Sequence, residues 1–186
     1  MEPRNLCELF LRGLGEVEGV AQSIERTERE IEAAFAGHLT LSHFATNLIA
    51  VNRSRHPRLK RMLTAAGISL EVGNDRVCAA ALEALCTRTA EPAATPVAAT
   101  CAVEAFRALA ACYEQRIGNL AETAMLMGCE GVHAALAEWG FAWRILSAHL
   151  RTESLRFRAM AYVADIEPPG VALLGRVERD SLLALS

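Results

Sequence analysis

The spacing of apolar residues constrains this chain most strongly, because it repeats at three and four residues along nearly the whole sequence. Between Glu16 and Ala36 the apolar positions recur at those intervals, and glutamates and arginines fill many of the positions between them. One apolar stripe opposite a charged face is typical of an amphipathic α-helix. No stretch alternates with a period of two for long enough to form a sheet. The sequence therefore predicts an all-α protein.

Turn-forming residues divide the predicted helices. Glycines follow several apolar runs, Pro57 disfavours helix at the residue before it, and Gly140 interrupts a late apolar run. These breaks predict a single-domain bundle of about six to eight helices over residues 1–170. The segment Pro168–Gly170 should end the last helix, which makes residues 171–186 a short C-terminal tail or docking arm. With 52% hydrophobic but only 5% aromatic residues, the chain is suited to closely packed helices.

Charge, cysteine spacing and hydropathy indicate the environment of the protein. The formal net charge of −3 does not favour nucleic-acid binding by the whole molecule. None of the six cysteines forms a Cys-x-x-Cys pair, and charged residues near Met1 interrupt any apolar run that would resemble a signal peptide. Residues 33–52 carry no formal charge, but their histidines, threonines and asparagines argue against a membrane span. We therefore expect a cytoplasmic or otherwise intracellular protein with reduced thiols.

Glu130 and His133 form the most specific metal-binding pattern in the chain. A Glu and a His three residues apart lie on one side of a helix, and ferritin-like di-metal bundles hold their ions through that pair. A complete site of this kind needs the pair on two helices and single glutamates on two others, and this sequence has one pair. The pattern indicates an iron, manganese or zinc site. The structural alternative is a half-buried histidine that bonds a carbonyl or a carboxylate.

The densest run of positive charge surrounds Pro57 and comprises Arg53, Arg55, Arg58, Lys60 and Arg61. Pro57 is the predicted start of a helix, where free backbone N–H groups and the helix dipole favour an anion. The run therefore predicts a phosphate-binding or nucleic-acid-binding site. A solvated corner between two helices is the structural alternative.

Trp139 and Trp143 are the only tryptophans and lie four residues apart, on the same side of a helix. Tryptophan dominates many protein interfaces, so the pair is a candidate surface for a partner. Tryptophan is also mostly buried in folded proteins, and the sequence favours packing of both indoles in an alanine-rich core.

Considered together, the motifs complete no catalytic constellation. The sequence therefore favours a non-enzymatic α-helical interaction or regulatory protein, although it leaves the question of enzyme activity open. We expect a protein partner or a homo-oligomer, formed through an alanine-rich helix face or through residues 171–186. A metal-binding bundle or oxidoreductase at Glu130 and His133 is one alternative. Phosphate or nucleic-acid binding through Arg53–Arg61 is the other.

Overall fold

The computed structural model describes residues 5–65, 67–89 and 95–166, and these residues contain five α-helices and no strand. The helices are α1 (Leu6–Phe35), α2 (Leu39–Ala65), α3 (Arg76–Thr89), α4 (Pro96–Leu126) and α5 (Glu130–Ile166). The all-α prediction is confirmed for this part of the chain. The predicted tail, residues 171–186, lies outside the described residues.

The predicted number of six to eight helices is wrong for the described residues, because several expected breaks lie inside continuous helices. Gly13 and Gly15 belong to α1, Gly118 to α4 and Gly140 to α5. Pro57 lies within α2, where it removes one backbone hydrogen bond at a cost of about 3 kcal/mol. Apolar residues of α2 are buried on both sides of Pro57, and this burial holds the helix together across the proline.

The break that separates α4 from α5 lies at Gly128, where φ is +71°. The Gly128 amide donates to the Met125 carbonyl at 3.0 Å, and the Cys129 amide donates to the Ala124 carbonyl at 2.9 Å. This pair of hydrogen bonds is the Schellman arrangement, which caps the free carbonyls at a helix C-terminus. Glycine adopts the required left-handed conformation without a Cβ penalty. The α4 helix therefore ends here, and α5 begins at Glu130.

The two longest helices, α4 and α5, are joined by three residues and make the most extensive helix–helix contact. The α1 and α2 helices are also joined by three residues and pack together, and α2 packs in addition on α5. The short α3 helix lies against α4 and α1. These contacts bury one side of α5 against α2 and α4.

Residues 67–75 connect α2 to α3 and pass directly over the α1 backbone. The Gly73 amide donates to the Gly15 carbonyl at 2.9 Å. A Cβ at Gly15 would lie 2.1 Å from the Glu71 carbonyl oxygen, and one at Gly19 would lie 2.0 Å from the Gly73 carbonyl oxygen. The close approach of the two backbones therefore requires glycine at both α1 positions.

Candidate interaction surface

Glu130 and His133 lie in the first turn of α5. The Nδ1 atom of His133 is 2.8 Å from the Ala121 carbonyl oxygen of α4, and the imidazole is half-buried. Glu130 is exposed. Among the described residues, no group of three or more His, Cys, Asp or Glu side chains is arranged to hold a metal ion. The hydrogen bond to Ala121 gives His133 a structural role, and metal binding at this pair stays a prediction.

The basic run on α2 meets acidic partners from distant parts of the chain. The Arg53 Nε–H donates to both carboxylate oxygens of Glu28, at 3.0 and 3.1 Å. Arg55 and Arg58 both pair with Glu138 of α5. Lys60 pairs with Glu18 of α1, and its Nζ atom lies 3.5 Å from the Oε1 atom of that carboxylate. Among the described residues Arg61 has no ion-pair partner. Four of the five basic side chains predicted to bind an anion therefore pair with a carboxylate of the fold.

His56 lies between two carboxylates at the interface of α1 and α2. Its Nε2–H donates to Glu18 Oε2 at 2.5 Å, and its Nδ1–H donates to Glu25 Oε1 at 2.9 Å. The His56 and Glu18 side chains are only 4% and 9% exposed, whereas Glu25 is 42% exposed. The ring also stacks on Trp139 of α5, with centroids 6.0 Å apart. One imidazole thus links three helices.

The pKa values of this cluster follow from its geometry. Burial by itself lowers the pKa of His56, but the hydrogen bonds to Glu18 and Glu25 outweigh it, so the pKa is raised. The hydrogen bond from His56 lowers the pKa of Glu18 to about 2, although burial opposes this shift. The cluster is therefore an imidazolium held by two carboxylates. Both ring nitrogens are occupied, so the arrangement locks helices together and offers no free base to a substrate.

Trp139 and Trp143 lie in the core, 1% and 0% exposed. Both indoles pack edge-on against Tyr113 of α4, with ring centroids 5.5 and 4.7 Å away. Neither indole N–H has a hydrogen-bond partner among the described residues. The structure therefore shows the core packing that the sequence favoured, and it leaves no tryptophan surface for a partner at these positions.

The opposite side of α5 carries apolar side chains that the described fold does not cover. Phe141, Ile145, Leu155 and Tyr162 are 59%, 57%, 64% and 69% exposed. Exposed alanines and a threonine lie between them, so that successive members of the row are alternately four and three residues apart. We call this set the outer α5 stripe, and its members are Phe141, Ile145, Ala148, Thr152, Leu155, Ala159 and Tyr162.

A groove between α2 and α5 adjoins the outer α5 stripe at Ile145. It has a volume of about 420 Å³ and is lined on the α2 side by Asn47, Val51 and Arg55, and on the α5 side by Ile145 and His149. Anchoring side chains at protein interfaces commonly fill pockets next to apolar surface. The groove therefore extends the apolar surface sideways, toward α2.

Arginines border the outer α5 stripe. Arg144, Arg151 and Arg158 follow one edge at intervals of seven residues, and Arg156 lies on the other edge. Arg144 and Arg158 pair with Glu114 and Glu104 of α4, at 3.2 and 2.8 Å; Arg156 pairs with Glu153 at 3.8 Å. Among the described residues Arg151 has no ion-pair partner.

Comparison with protein-family models, curated proteins and solved structures gives no match for this chain. Within the described ranges, no helix combines the length and the apolar character that a membrane crossing requires.

Proposed function

We propose that the protein is an α-helical interaction protein and that the outer α5 stripe is its binding surface. The observation that carries this proposal is the row of exposed residues, all apolar except Thr152, which extends over three heptads of one helix. Contiguous apolar surface on a folded domain marks interaction sites, whereas isolated exposed apolar residues are ordinary.

The spacing of the stripe supports a helix as the bound element. Apolar residues alternating at three and four positions form the seam along which two helices pack, with side chains of one inserting between those of the other. An amphipathic helix lying along an apolar face is a common mode of peptide recognition. The inner face of α5 already packs on α2 and α4. The outer stripe is therefore a second seam on the same helix.

The exposed aromatic residues give the scale of the gain on binding. Full burial of a Phe or Tyr side chain covers about 150–250 Å². Phe141 and Tyr162 are 59% and 69% exposed, so covering them removes roughly 90–170 Å² each from water. At about 25 cal/mol per Å² this contributes about 2–4 kcal/mol per side chain before the cost of association.

Quantitative capture of partners by charge-substituted variants tests this proposal. The tagged protein, the double variant Ile145→Glu/Leu155→Glu and the control Leu39→Glu are compared in the source cell by mass spectrometry. Leu39 is 88% exposed at the start of α2 and lies off the stripe, so it controls for loss of an exposed apolar side chain. We expect the double variant to lose bound proteins that the control retains. Equal capture by all three forms would refute the proposal.

A further inference from the structure

We infer that the outer α5 stripe binds an acidic amphipathic helix, one whose apolar seam is bordered by glutamate or aspartate. This inference rests on the proposed function, because it names the chemistry of the partner for the same surface. It depends on the charged residues that flank the stripe, and these are separate from the apolar residues that carry the proposed function.

The register of the stripe assigns the flanking positions. When Ile145, Thr152 and Ala159 are taken as heptad positions a, Phe141, Ala148, Leu155 and Tyr162 occupy positions d. The flanking g positions are then all arginine, namely Arg144, Arg151 and Arg158. The flanking e positions are Ala142, His149, Arg156 and Val163. No acidic residue borders the seam between Phe141 and Val163.

Two of the three g arginines pair with a glutamate of the fold, and their side chains remain mostly exposed. The Arg144 and Arg158 side chains are 69% and 55% exposed, whereas the glutamates that they contact are each 25% exposed. The surface beside the seam therefore presents guanidinium groups more than carboxylates. Arg151, halfway along the edge, has no ion-pair partner among the described residues. The formal net charge of the whole chain is −3, so the positive charge of this edge is opposite in sign to that of the whole chain.

The same charges argue against a second copy of the chain as the occupant. Residues at the e and g positions of one helix face those of its partner in both parallel and antiparallel pairs. Two copies of α5 would therefore bring arginines against arginines or histidine, and like charges across a helical interface disfavour that pairing. Glutamates at the flanking positions of another helix would instead pair with the arginines of this edge.

Small residues at the middle of the stripe suit the close approach of a helix. Ala148 and Thr152 separate Ile145 from Leu155, and Ala159 separates Leu155 from Tyr162. Small side chains let helix axes approach. The groove beside Ile145 provides space for a large apolar side chain of the partner.

The test uses two synthetic helical peptides of about four heptads, long enough to cover the stripe. Both carry Leu at a and d, and they differ only in having Glu or Lys at e and g. Binding to the full chain is measured by fluorescence anisotropy at low and high salt. We expect the Glu peptide to bind about tenfold more tightly than the Lys peptide, a factor that corresponds to about 1.4 kcal/mol. Salt should weaken the Glu peptide selectively, because it screens exposed charges.

Charge-reversal variants locate the effect. Arg151→Glu breaks no ion pair among the described residues and should weaken the Glu peptide while strengthening the Lys peptide. Arg61→Glu reverses another unpaired, exposed arginine, on α2 and away from the stripe, and should leave both affinities unchanged. Ile145→Glu should abolish binding of the Glu peptide. An Arg61→Glu effect equal to that of Arg151→Glu would overturn the inference.

Three further outcomes separate this inference from the proposed function. Equal binding of both peptides, or binding of neither, would overturn the acidic partner, while the capture experiment above still decides the interaction role. Sedimentation that shows a dimer dissociated by Ile145→Glu would make a second copy the occupant. If the protein binds phosphatidylserine vesicles but neither peptide, the occupant would be an anionic membrane surface. Both of these last results would overturn the inference.

Discussion

The Glu18–His56–Glu25 cluster gives the sharpest prediction for stability. Glu18→Gln keeps the shape of the side chain and removes its charge, which leaves a buried imidazolium with one carboxylate. The difference between a pKa of about 2 in the fold and the ordinary value of 4.5 is worth about 3 kcal/mol. We therefore expect the variant to lose about 3 kcal/mol of its free energy of unfolding at neutral pH.

Glu25→Gln is the matched control, because Glu25 bonds the same ring but its side chain is 42% exposed against 9% for Glu18. Water screens the exposed pair, so the control should lose less than about 1 kcal/mol. Urea unfolding followed by the fluorescence of the two core tryptophans measures both losses. A loss for Glu18→Gln no greater than that for Glu25→Gln, at unchanged m-value, would refute the role assigned to burial.

The pH dependence of the same measurement has a definite sign for each group. The folded pKa of Glu18 is depressed, so its contribution is complete above pH 4.5 and is lost as the pH falls towards 2. The folded pKa of His56 is raised, so its contribution is complete below pH 6.5 and is lost as the pH rises through that raised value. Glu18→Gln should therefore remove much of the decline between pH 4.5 and 2. An unchanged acid decline would contradict the assignment.

Four other substitutions test the fold and the stripe. Gly15→Ala should lower the free energy of unfolding in urea by about 2–3 kcal/mol, because its Cβ meets the Glu71 carbonyl oxygen of the connection 67–75. The Cβ of Gly118→Ala meets no atom within 4 Å, so this variant should raise the free energy of unfolding by about 0.5–1 kcal/mol. Equal changes in stability for the two variants would show that the connection does not contact α1 closely at Gly15. Asp75→Ala should lose about 2 kcal/mol in thermal unfolding, because Asp75 caps α3 by accepting from two backbone amides; an unchanged Tm would contradict this. Ile145→Glu should cost no more than about 1 kcal/mol, since the side chain is already 57% exposed, and a larger loss would show that the stripe is covered in the folded chain.

The sequence was sufficient for the fold class but not for the helix ends. The spacing of three and four residues in α1 reflects one buried face, and that relation is local. Glycine is a weaker signal, because the same residue serves as helix interior at Gly118 and as a left-handed cap at Gly128, where φ is +71°. What distinguishes them is whether the flanking residues pack as one continuous helix. Only the tertiary structure decides that.

Ion pairs between residues far apart in the sequence explain why the candidate sites differ from the predicted ones. The basic run on α2 indicated an anion site, but its partners Glu28 and Glu138 lie 25 and 83 residues from Arg53 and Arg55 along the chain. The buried His56 cluster depends on the same α1–α2 pairing. A partial signal existed, because Glu18 and Glu25 are seven residues apart and therefore share a face of α1.

The outer α5 stripe has a helical spacing in the sequence, but this spacing does not show that the stripe is exposed. α5 is apolar on two sides, and Trp139 and Trp143 on one side compete for the core with Phe141 and Ile145 on the other. Periodicity does not determine which face a helix buries when both are apolar. Packing against Tyr113 and His56 places the tryptophans inside and leaves Phe141 and Ile145 exposed.

Site-specific photo-cross-linking in the source cell tests whether the outer α5 stripe binds another protein. A benzophenone amino acid replaces Ile145 in one form and Val77 in another; Val77 is 62% exposed on α3, far from the stripe in sequence. We predict a cross-linked protein adduct from position 145 that is absent from position 77. The absence of an adduct at position 145, or the same adducts from both positions, would contradict it.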